Sequence, residues 1–147
     1  MSLTKINLGC GPQGKDDWIN IDWGILALLH RMPLLEKLLI KFNLFPQGYG
    51  VSWPKNLRLY NCQKRLPFDD SSVDYIYTSH LLEHFKKYQA QALICEAHRI
   101  LKKGGILRVV VPDLKLLAAK YIEKDSDYFK KVAGIMDLSR CLGQDNI

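Results

Sequence analysis

The sequence predicts an α/β fold: three layers around a Rossmann-like, mostly parallel sheet. Five short strand-like stretches alternate with segments of helical periodicity, which implies right-handed crossovers. The last of these stretches, "ILRVVVP" at 106–112, is a nearly continuous apolar run of the kind buried on both faces of a parallel sheet. The first runs straight into glycine, as a strand does where it opens into a loop at a ligand-binding edge.

Taken in order, Ile6 and Leu8 mark the first strand, and "WINID" at 18–22 alternates toward a terminal Asp22. Residues 25–45 carry His30, Arg31, Glu36, Lys37 and Lys41 and are split by Pro33, so a membrane span is not expected. They read as two short amphipathic helices, the second opening at Pro33, that pack on the domain or cover a binding site in preference to lying on a lipid surface, which is the alternative. Residues 24–54 are therefore an inserted helical lid within one domain spanning 1–147. "LRLYNC" at 57–62 is the third strand, "LPFDDSS" a turn cluster, and "VDYIYTS" at 73–79 the fourth strand. Ala90, Leu93, Ile94, Ala97, Ile100 and Leu101 follow helical spacing over 87–103, with Gly104-Gly105 as the stop. Pro112 ends the fifth strand, and a helix follows from Leu114 to about Lys124.

The 147 residues suit a single domain with its own core. Their net charge of +6 comes from scattered lysines and arginines without a long run. A solvated surface is the plain reading of that charge; an anionic partner, RNA included, stays open, although no aromatic-basic platform stands out. Cysteines 10, 62, 95 and 141 form neither a disulfide framework nor a zinc knuckle, which predicts reduced thiols in a cytoplasmic protein.

"GCGPQG" at 9–14 satisfies G-x-G-x-x-G directly after a strand. A dinucleotide site needs a helix N-terminus for the pyrophosphate and an acid about 20 residues on. Asp22 arrives only eight residues after Gly14, which leaves no room for that helix, so an NAD-dependent oxidoreductase is demoted. S-adenosylmethionine (SAM) carries no phosphate. A bare glycine curve suffices for it, and Asp22 can accept hydrogen bonds from both ribose hydroxyls.

"INLGCG…WINID", "LPFDDSSVDYIYTSHLLEHF" and "EAHRILKKGGILRVVVPDLK", in that order, resemble the class I SAM-dependent methyltransferases, in particular their type-11-like branch. The resemblance covers most of residues 5–115. It implies a cofactor loop of Gly9, Cys10 and Gly11, Asp22 on the ribose, and Trp23 beside the adenosine. Asn61 and Cys62 stand where the family often has Asp-Leu; the Asn61 side-chain oxygen and the Cys62 N–H would serve the adenine. Ser79 and His80 would face the transferred methyl, with His80 and His84 as candidate proton acceptors. Related enzymes continue with two further strands, and nothing in 125–147 reads as those strands. The expectation is a core lacking the last two strands, its open edge covered in a homodimer or larger assembly.

The expected function is methyl transfer from SAM to a small-molecule or saccharide-type acceptor. The alternative is a truncated SAM-binding subunit without activity of its own. "HLLEH" at 80–84 also spells the H-x-x-E-H of zinc peptidases. Following a strand directly, it is expected to mark the strand's exit, with no metal bound.

Overall fold

The computed structural model describes residues 2–42, 44 and 53–133. The chain divides into two compact units, Met1–Val110 and Val111–Ile147. The first is built on five strands: β1 (Lys5–Leu8), β2 (Ile19–Asp22), β3 (Leu57–Leu59), β4 (Val73–Ser79) and β5 (Leu101–Val110). Their order is β3-β2-β1-β4-β5, and all neighbours pair in parallel. The chain moves outward from β1 to β3, then returns to the other side of β1 for β4 and β5. The strand order thus reverses between β1 and β4, the position where parallel sheets open a crevice for ligands.

Register explains the core. Ile6 pairs with Ile19 and Ile76, and Leu8 with Ile21 and Thr78, so these side chains share one face. On that face α3 (Lys87–Ile100) lays Leu93, Ala97 and Ile100, spaced four and three apart as a helical stripe requires. Cys62, Leu66 and Val73 close the cluster. The start of α3 is fixed by the Gln89 side chain, whose oxygen accepts the Lys86 N–H at 2.9 Å. Arg99 near its end donates to the Leu66 and Phe68 carbonyls at 3.0 and 2.9 Å. It thereby ties the long β3–β4 connection to the helix.

Three boundaries differ from expectation. The helix ends at Ile100, and β5 begins at Leu101 rather than at residue 106. The Arg99 and Ile100 carbonyls accept the Ser71 and Ser72 N–H groups, which stops the helix from outside. Between the Val73–Leu101 and Tyr75–Ile106 pairs β5 carries extra residues, and Gly104 with φ +82° sits in that bulge. The glycines therefore serve a strand irregularity and not a helix cap. Finally, β3 ends at Leu59, not at residue 62, because the Asn61 side chain accepts the Gln63 N–H at 2.9 Å and bends the chain.

The two expected short helices are present as α1 (Ile25–His30) and α2 (Pro33–Lys41). Ala27 of α1 is buried with Cys10 and Leu57 in a second small core. Residues 43 and 45–52 of the expected lid lie outside the described residues. In the second unit, α4 (Leu114–Ile122) is capped by the Asp113 carboxylate, which accepts the Leu116 N–H at 3.1 Å. A further helix, α5 (Ser126–Ala133), opens on Asp125, whose side chain accepts the Tyr128 N–H at 2.9 Å. Residues 134–147, with Cys141, fall outside the description.

Candidate functional site

A parallel sheet gathers its carboxyl ends at one edge, so Gly9, Asp22, Asn61 and Ser79 emerge together there. The loop after β1 folds onto the end of β2. Gly9 and Cys10 donate to the Ile21 carbonyl at 2.9 and 3.2 Å, and Gly11 donates to Asp22 Oδ2 at 2.7 Å. Gly9 and Gly11 adopt φ +66° and +52°, a region open to glycine at little cost. A side chain on Gly9 would also meet Leu81 at 3.0 Å, whereas nothing lies within 4 Å of the position a Gly11 side chain would take. The loop is thus packed against the exit of β4 on one side and open on the other. Gly11–Gln13 is a single 3-10 turn, and no α-helix stands between β1 and β2, as the spacing predicted.

Asp22 is the electrostatic centre of this edge. Each of its oxygens accepts one backbone N–H, from Gly11 at 2.7 Å and Trp23 at 2.6 Å, which leaves further lone pairs free. Burial nevertheless dominates over those two bonds and raises its pKa above the usual carboxylate value. The same burial, then the Asp22 charge, pushes the Cys10 and Cys62 thiols up to about 12. Both are neutral at physiological pH, so they line the site as apolar walls and are neither nucleophiles nor thiolate ligands.

The remaining expected residues take different stations. Trp23 is exposed immediately beyond Asp22. Asn61 is half-buried, and its side-chain oxygen is already engaged by Gln63, leaving one lone pair for another donor. Ser79 closes β4.

His80 follows Ser79 in the left-handed region at φ +54°, with its N–H on the Val110 carbonyl at 3.1 Å. Non-glycine residues occupy that region at a cost, and such strain concentrates at functional positions. Its Nδ1 stands 3.1 Å from Glu83 Oε1. His84 is exposed in the 3-10 turn Leu82–His84. "HLLEH" therefore has no continuous helix to put both histidines on one face. Among the described residues, no group of three or more His, Cys, Asp or Glu side chains is arranged to hold a metal.

Sequence reasoning did not find the Glu83–His80 contact or the seat of Leu81 on Gly9. Both depend on the left-handed turn at His80, which no residue type announces. It likewise missed Asn20, a fully buried amide that holds the far end of the glycine loop. A cavity of about 370 Å³ lies at the opposite end of the strands, lined by Lys5, Asp17, Trp18 and Asn56 among others. Lys5 and Asp17 pair with each other there, away from the carboxyl-end edge.

Residues 43–109 match the family model described as "Methyltransferase domain". Over that stretch the chain is similar to methyltransferase domains. Among solved structures, the chain is similar to the PH0226 protein of Pyrococcus horikoshii OT3, with a TM-score of 0.51 and 20% identity, over 82% of this chain and 51% of that one. It is also similar to a SAM-dependent methyltransferase of Methanosarcina mazei, with a TM-score of 0.50 and 21% identity, over 84% and 61%. At these identities the likeness is one of fold. The chain spans about half the length of the solved structures it matches. No curated protein matches the sequence.

Proposed function

We propose that this chain binds SAM and transfers its methyl group to a small-molecule acceptor, with saccharide hydroxyls among the candidate groups. The observation that carries the reading is the Asp22 carboxylate, half-buried at the end of β2 and fastened to a glycine loop that continues into a 3-10 turn without a helix. Asp22 takes the ribose hydroxyls, the open side of Gly11 admits the methionine portion, and Trp23, Asn61 and the Cys62 N–H border the adenosine. When bound, SAM supplies a methyl group already activated on a sulfonium. The protein's task is then to align the acceptor and, for a hydroxyl, to take its proton.

In this reading His80 performs that second task. Glu83 holds its Nδ1, which fixes the ring and leaves Nε2 to receive a proton. His84 is the second candidate, with no comparable partner to orient it among the described contacts. Replacing His80 with Asn is expected to lower kcat on a hydroxyl acceptor by roughly 10²- to 10⁴-fold with SAM affinity unchanged. Glu83→Gln should produce a smaller drop and a displaced pH–rate profile, because it alters the orienting partner and not the base. Equal rates for all three proteins across pH would remove His80 from the mechanism.

Calorimetric titration with SAM, its demethylated product and NADH tests the cofactor. Binding of both sulfur compounds supports the proposal; binding of NADH alone overturns it. A second reading is a SAM-binding subunit that needs a partner for activity. It predicts the same titration with no turnover on any acceptor unless the partner is added. We also infer a homodimer that covers the outer edge of β5, an edge strand of the sheet among the described residues, and a cytoplasmic setting consistent with the free thiols of Cys10, Cys62 and Cys95.

A further inference from the structure

The sequence suggests that 25–45 packs its apolar residues on the domain or over a site. The structure leaves most of them outside. Ile25, Leu28, Met32, Leu34, Leu38, Phe42 and Leu44 are all exposed, Leu34 at 78%, and α2 buries no residue at all. Scattered single apolar residues on a surface need no explanation, but a run of this density does.

The charges are sorted across the same segment. At 100° per residue, Leu34, Leu35 and Leu38 form one stripe of α2, and Lys37 and Lys41 flank it on the Leu34 side. Both lysines are exposed. Glu36, the sole acid in 25–44, lies off the leucine stripe, half-buried and 3.9 Å from His30 Nδ1. The Arg31 guanidinium is likewise committed, donating to the Leu57 carbonyl at 3.0 Å. The outward face therefore presents leucines edged by cations, with no acid.

We propose that this face of α1–α2 docks on the surface of an anionic lipid bilayer. Leucines edged by lysines match a boundary where acyl chains lie beneath negative headgroups. Phe42 and Leu44, both exposed, extend the apolar face beyond the end of α2. The nine residues of α2 are too short to cross a bilayer, and no described helix is long and apolar enough to do so, so the segment lies in the plane of the surface. Pairing of this face with a second copy is disfavoured, because it would bring two lysine pairs together in one seam.

The inference stands on exposure and charge alone, independent of the methyl-transfer reading. Its test is co-sedimentation of the full chain with phosphatidylcholine vesicles, with or without roughly 30% phosphatidylglycerol. Binding to the anionic vesicles alone, weakened by salt, is the expected result. Lys37→Glu/Lys41→Glu should weaken it roughly 25-fold or more, at about fivefold per lysine. Leu34→Asp/Leu38→Asp should lower it more than about tenfold, with circular dichroism unchanged, since both leucines are exposed. The proposal is overturned by absence of binding to anionic vesicles, or by equal binding of both double variants. It is also overturned by a lipid-free dimer that Leu34→Asp/Leu38→Asp dissolves, which would assign the face to a second copy.

Discussion

Asp22→Asn is expected to lower SAM affinity on the order of a hundredfold or more while the protein stays folded. In the proposed site, the carboxylate receives two hydrogen bonds from the ribose, and bonds to a charged acceptor are each worth about 1.5–3 kcal/mol. Asparagine keeps the shape but loses the charge and one acceptor oxygen. Stability responds to two opposed changes. One of the Gly11 and Trp23 N–H groups loses its acceptor, whereas the burial that raises the Asp22 pKa no longer acts on a charge.

The sign of that second effect follows from linkage. A carboxyl whose folded pKa is raised binds its proton more tightly in the folded state. Its contribution to stability therefore falls as pH rises from the unfolded pKa, 3.8, through the folded one. Above that window the ionised group opposes folding, and Asn relieves this. Calorimetric titration with SAM, alongside thermal unfolding at pH 4 and pH 7, reads both effects. Affinity equal to the parent's would remove Asp22 from the ribose site. A stability difference between parent and variant that does not change with pH would contradict the raised pKa.

The parts of this site that the sequence shows are those encoded locally. A strand, two glycines that reach positive φ and an acid at the next strand's end fall within eighteen residues, and their spacing alone argues against a dinucleotide helix. Gly104-Gly105 was misread for a physical reason. A helix C-cap and a strand bulge both draw on glycine's access to positive φ, and only the Ser71 and Ser72 N–H groups, about 30 residues away in sequence, decide between them. The Glu83–His80 pair required a left-handed turn at His80, a conformation that histidine tolerates better than most residues but that its presence does not by itself announce. The amphipathic pattern of 25–45 correctly gives two helices split at Pro33, but such a pattern states only that an apolar face exists. What covers the face is not encoded there, and α2 leaves it open.

The largest effect on stability is expected at Asn20, whose side chain is fully buried on the sheet face opposite Ile21. Its Nδ2 donates to the Lys15 carbonyl at 2.8 Å and to Asn56 Oδ1 at 2.7 Å, with a longer bond to the Trp18 carbonyl at 3.3 Å. Its Oδ1 accepts the Lys15 N–H at 3.3 Å. Asn56, held this way, donates in turn to the Trp18 and Asp16 carbonyls at 2.8 and 3.1 Å. One amide thus joins the descending arm of the glycine loop to the approach of β3. Asn20→Leu keeps the branched shape yet strands several polar groups without partners, and the expected cost is about 2–4 kcal/mol. Gly14 touches the same amide from the other side, because a side chain there would stand 2.6 Å from Asn20 and run into Pro54. Gly14→Ala should therefore destabilise by displacing Asn20, and the double variant should lose less than the two single losses added together. Urea unfolding of the four proteins measures this. Strict additivity would mean that Gly14 is required for its own backbone and not for the amide it borders, and that the third glycine of the loop has a role separate from the Asn20 network.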